Sequence, residues 1–124
     1  MALHILVVDD DADVLPVLVE ILQTSGYTLT AADSGLAMRE VLAGKRAVDA
    51  IVLDWTMPGE PSAQLALHAR ALKLPVVMIS GSDEAMQFAD ENGLQLLAKP
   101  FKMAELLDAI NSAAASGEFG QRGA

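Results

Sequence analysis

The chain has 124 residues with 17 acidic against 8 basic side chains, no cysteine, and 52% hydrophobic residues. That length supports one domain around one core. A formal charge of −9 argues against direct contact with nucleic acid or an anionic membrane, because both would repel the chain. The lack of cysteine removes disulfides, thiolate nucleophiles and cysteine zinc sites, and it is compatible with a reducing, cytoplasmic setting. The opening Met1-Ala-Leu-His-Ile-Leu-Val-Val-Asp-Asp10 has no basic n-region, and its apolar run stops at carboxylates. Neither a signal peptide nor a membrane-length span is expected from it.

In chain order, the first short apolar run is Ile5–Val8, unbroken by polar positions and reading as a strand buried on both faces. A helix is expected over Val14–Thr24, with Leu15, Leu18 and Leu22 on one face, Asp13 as N-cap and Gly26 as its stop. A weaker strand follows at Thr28–Ala31, then a helix over Ser34–Ala43 closed by Gly44. The second strong strand is Ala50–Leu53. A third helix starts after Pro61, carries Leu65, Ala69 and Leu72, and ends before Pro75. Val76–Ile79 is the next strand, followed by a short, thinly apolar helix over Asp83–Asn92, a weaker strand at Gln95–Ala98, and a last helix from Met103 to Ala114. Strands alternating with helices predict a (βα)5 α/β fold: a doubly wound parallel sheet of order 2-1-3-4-5 between two helical layers. Residues 1–116 are expected to form the domain. Residues 117–124, rich in glycine, read as a tail or linker stub.

Ligands in this architecture bind beyond the C-terminal ends of the strands. There the sequence places Asp9-Asp10-Asp11 after the first strand and Asp54 after the third, followed by Trp55-Thr-Met-Pro-Gly59. Ser80-Gly-Ser82 follows the fourth and Lys99-Pro-Phe101 the fifth. Crowded carboxylates repel one another, so one protonates or a cation sits among them. Oxygen ligands suit a hard divalent ion, Mg²⁺ above all. A carboxylate beside Mg²⁺ and a lysine is poised to attack phosphorus, which would make Asp54 the nucleophile of an aspartyl phosphate.

These pieces together resemble a two-component response-regulator receiver domain over about residues 3–115, of the stand-alone, chemotaxis-regulator-like kind. The resemblance implies that Asp54 accepts phosphate from a phosphohistidine on a sensor histidine kinase or histidine phosphotransfer protein. It implies Mg²⁺ (or Mn²⁺) held by Asp10, Asp54 and the main-chain carbonyl of Thr56, with Asp9 assisting. By the same likeness Ser80 and Lys99 hold the phosphoryl group, and the output is a switched conformation read by a downstream protein, with a homodimer among the possible forms. Many receivers carry an aromatic residue three positions before the lysine, where this chain has Leu96, and the stretch from Ser80 to Lys99 is short. An altered switch and partner surface are therefore expected.

Other roles for the same residues are plainer. Asp11 and Asp13 read as helix caps, His4 and His68 as structural or exposed, and Trp55 as a packing residue as readily as a neighbour of the site. Two rival functions stand beside the receiver. One is an adaptor that never carries phosphate. The other is a haloacid-dehalogenase-type phosphatase, disfavoured because Thr56 stands where that family expects a second aspartate and the chain leaves no room for a substrate cap.

Overall fold

The structure is a computed structural model. It describes the backbone of residues 3–45 and 47–123 and the side chains as far as residue 115, residue 46 excepted. Strands and helices alternate throughout: β1 (His4–Val8), α1 (Val14–Thr24), β2 (Thr28–Ala32), α2 (Gly35–Ala43), β3 (Ala50–Asp54), α3 (Ser62–Ala71), β4 (Val76–Ser80), α4 (Asp83–Asn92), β5 (Gln95–Ala98) and α5 (Met103–Gly123). The five strands are parallel in the order β2-β1-β3-β4-β5, as the sequence predicts.

Alternation along each strand sends successive side chains to opposite faces, and both faces are dry. Ile5 and Val7 face one layer with Val52, Val77, Ile79 and the buried faces of α1 and α5 (Leu18, Leu22, Leu106, Ile110). Leu6 and Val8 face the other, with Leu53, Met78, Met38 of α2, and Leu65 and Ala69 of α3. β1, β3 and β4 are buried at every residue, which is why they read as unbroken apolar runs. The edge strands β2 and β5 are only partly covered, and their sequence signal is correspondingly weaker.

Two local expectations are revised. Asp13 occupies the N-cap position of α1, but its side chain caps nothing. The Asp11 carboxylate does the capping, accepting from Asp13 N at 2.9 Å and Val14 N at 3.2 Å. Its position two residues further back lets it reach across the turn to both amides. The last helix also continues past Ala114, since α5 runs to Gly123. Ala113, Ala114 and Ala115 favour helix strongly enough to carry the backbone into the glycine-bearing segment. Gly26 does stop α1, taking φ = +100°, where a side chain would be strained. Among the described residues no helix is long and apolar enough to cross a membrane.

Candidate functional site

The sheet delivers its polar residues to one edge because the register aligns the strand ends. Val8 pairs with Leu53, Asp54 with Ile79, and Ser80 with Ala98, so Asp9, Asp54, Ser80 and Lys99 all emerge at the same level. Carboxylate oxygens of Asp9, Asp10 and Asp54 lie within 4.8 Å of one another. Asp9 and Asp54 are buried, at 4% and 5% exposure, whereas Asp10 is exposed. Lys99 Nζ donates to Asp54 Oδ1 at 3.0 Å, across forty-five residues of sequence. The Lys99 backbone is fixed in turn, its amide donating to the Ser80 carbonyl at 3.0 Å, and the Lys99–Pro100 peptide is cis.

Burial dominates the electrostatics. It pushes the Asp54 carboxyl above its ordinary range, Lys99 pulls it back through its hydrogen bond and charge, and Asp10 and Asp11 raise it further. Asp9 is likewise raised by burial, lowered by the Asp11 amide that donates to its Oδ1 at 2.9 Å, and raised by Asp54. Three carboxylates against one ammonium leave two formal negative charges at the cluster. The donors are all oxygen, one side is open at Asp10, and the missing charge is that of one divalent cation. The residues present therefore fit Mg²⁺, which binds through a few carboxylates and keeps several waters.

Of the other expected residues, Ser80 is buried at the end of β4, where its Oγ accepts from Ser82 N at 3.0 Å. Thr56 is exposed in the loop two residues after Asp54. Leu96 is partly buried in the same apolar layer as Trp55, Met57 and Phe88. Trp55 packs its ring against Phe88 of α4, with centroids 5.4 Å apart and tilted by 44°. Ser82 caps α4 by accepting from Ala85 N at 3.3 Å, and His4 is enclosed in strand contacts. Both contacts are structural, as expected for His4.

Sequence reading passes over two contributors. Ser62 Oγ donates to the main-chain carbonyl of Asp54 at 2.9 Å, although a serine following a proline at a helix start reads as an ordinary terminus. Arg39 of α2 forms a forked ion pair with Glu60 in the loop after Asp54, with Nε–Oε1 at 2.7 Å and a second contact from the other fork to Oε2. Neither partner carried a sequence signal, because only the fold brings residues 39 and 60 together.

A doubly wound sheet that gathers three carboxylates and a lysine at the C-terminal ends of its strands presents an aspartate-centred site whose donors suit a divalent cation. The response regulator receiver domain family matches residues 5–111, and the chain belongs to that family. It is 37% identical over 115 residues to the transcriptional regulatory protein PrrA of Mycobacterium tuberculosis, covering 88% of this chain and 48% of PrrA. It is 35% identical over 112 residues to the response regulator MprA of Mycobacterium ulcerans, covering 86% of this chain and 48% of MprA. The chain thus spans about half the length of the curated relatives it matches. Among solved structures it resembles a response regulator receiver protein from Sinorhizobium medicae, with a TM-score of 0.82 and 29% identity, covering 94% of this chain and 97% of that one.

Proposed function

We propose that this chain is a phosphoacceptor switch in which Asp54 takes a phosphoryl group from the phosphohistidine of a sensor histidine kinase or histidine phosphotransfer protein. The observation that carries the reading is the buried Asp54 carboxylate, 3.0 Å from Lys99 and within 4.8 Å of two further carboxylates. An Asp54 carboxylate oxygen attacks phosphorus, an O–P bond forms, and the P–N bond to the donor imidazole breaks, its electron pair staying on the imidazole nitrogen, which takes up a proton. Asp9, Asp10, Asp54 and the Thr56 carbonyl are the ligands proposed for Mg²⁺ or Mn²⁺. Bound there, the cation supplies charge neutralisation for the phosphoryl oxygens. Lys99 exchanges its contact with Asp54 for one with the phosphoryl group, and the Ser80 hydroxyl donates to another phosphoryl oxygen.

The resulting acyl phosphate biases the loops after β3 and β4 between two packings. With Leu96 on β5, the packing that changes involves an aliphatic residue in the same apolar layer as Trp55 and Phe88 rather than a ring of its own. The chain modifies itself and slowly hydrolyses its own phosphate; it does not turn over a metabolite. Residues 1–116 constitute the switch, the remainder serves as tail or linker, and the signal passes in the cytoplasm to a protein target or a second copy. An acidic chain of this kind reaches DNA only through another domain or protein. Incubation with acetyl phosphate and Mg²⁺ should add the mass of one phosphoryl group, and Asp54→Asn should abolish the gain. Wild-type protein that gains nothing from acetyl phosphate or phosphoramidate would favour the adaptor instead.

A further inference from the structure

The peptide unit joining Asp54 to Trp55 is held at both ends. Its carbonyl oxygen accepts from Ser62 Oγ at 2.9 Å. Its amide, Trp55 N, donates at 2.9 Å to the Ile79 carbonyl of β4. One tie runs to the first residue of α3 and the other into the sheet. The need for the first follows from the register. β1 pairs with β3 only as far as Val8 and Leu53, so the Asp54 carbonyl lies past the end of that ladder. A buried carbonyl there must find another donor, and Ser62, itself 4% exposed, supplies it. Serine at a helix start ordinarily turns its oxygen onto the helix's own amides. Here the N-cap residue, Pro61, makes no side-chain cap, and the neighbouring Ser62 hydroxyl reaches back eight residues to Asp54 instead.

A peptide plane held at both ends restrains ψ of Asp54 and so the direction of its Cα–Cβ bond, the base from which the carboxylate extends. Attack on phosphorus depends on that direction, since small misplacements of a nucleophile are expensive in rate. The same peptide leads into Trp55 and Thr56, whose carbonyl is the main-chain ligand proposed above. Glu60, held by Arg39 of α2, restrains the far side of the same loop.

We infer that Ser62 is a positioning residue for phosphoryl transfer: it touches neither the phosphoryl group nor the cation, and acts through the Asp54–Trp55 peptide. This rests on the receiver reading of Asp54, and the experiment separates the two. The full chain is treated with acetyl phosphate at saturating Mg²⁺, and the initial rate of phosphoryl gain is followed by intact mass beside the melting temperature. Ser62→Ala should slow the saturating rate by roughly tenfold. A merely structural hydrogen bond would lower the melting temperature and leave that rate unchanged, which would overturn the inference. Ser62→Cys, close in shape but a weak donor, carries the same test if the alanine variant does not fold. A several-fold loss is expected from it, and a wild-type rate would overturn the inference. Phosphorylated wild type with equally fast variants rejects Ser62 alone, whereas wild type that takes no phosphate rejects the receiver reading and this inference with it.

Discussion

The two ends of β1 handle buried polarity in opposite ways. At the start, His4 is 8% exposed and fully occupied: its ring nitrogens lie 2.7 Å from the hydroxyls of Thr28 and Thr30 on β2. Its amide donates to Asp49 Oδ2 at 2.7 Å. Just past the other end, Asp9 is more deeply buried, yet its nearest charged neighbours include Asp54 and Asp10, and burial drives its carboxyl upward. The first end is a solved packing problem. The second is left electrostatically strained, and such strain in a folded protein is where a ligand or reaction is expected. The difference separates what holds this molecule together from what it does.

Several substitutions would sharpen or break that contrast. The largest effect is expected at the strained end: Lys99→Ala should slow phosphoryl gain from acetyl phosphate by roughly a hundredfold, the usual cost of removing a charge-stabilising donor, with little loss of fold because the lysine side chain is 48% exposed. Next, His4→Phe should reverse the pattern. It leaves two threonine hydroxyls without their ring partner, and should lower stability in a urea melt by about 1–2 kcal/mol while the phosphorylation rate stays at the wild-type value. A stable variant with lost phosphorylation would erase the distinction between the two ends.

The smallest effect concerns pH. Folding raises the Asp9 and Asp54 carboxyls above their ordinary value of 3.8, so the folded state binds those protons more tightly than the unfolded chain. The stability they contribute is complete below that value and is lost as pH rises through the folded-state pKa. At neutral pH without a cation the ionised cluster is therefore a liability. In chelator-treated protein Asp9→Asn should raise the melting temperature by about 3–6 °C at pH 7, with the advantage shrinking as pH falls toward 4. Glu60 works in the other direction, its carboxyl lowered first by the hydrogen bond from Arg39. Comparing variant with wild type at each pH cancels that contribution. Added Mg²⁺ should stabilise wild type more than Asp9→Asn.

Much of this was readable from sequence because it is carried by short, local signals. Runs such as Ile5–Val8 and Val76–Ile79 mark strands buried on both faces, and the topology of a (βα)5 chain then brings Asp9, Asp10, Asp54, Ser80 and Lys99 to one edge. What escaped depends on three-dimensional closure. Ser62 matters because β1 ends one pair too early to serve the Asp54 carbonyl, a fact of register that no motif encodes. Asp11 and Asp13 both read as caps, and Asp11 is one; that Asp13 caps nothing is decided by the turn geometry, which only the structure shows. The glycines after residue 116 suggested a helix end, while the preceding alanines carried α5 through them.

The central claim, that the strained end of β1 exists to build an aspartyl phosphate on Asp54, has a direct chemical test. Borohydride reduces an acyl phosphate to an alcohol, so protein treated with acetyl phosphate and Mg²⁺, reduced and sequenced by mass spectrometry, should carry homoserine at position 54 and unmodified aspartate at positions 9 and 10. Homoserine at 9 or 10, or phosphate that survives reduction on Ser80, would contradict it.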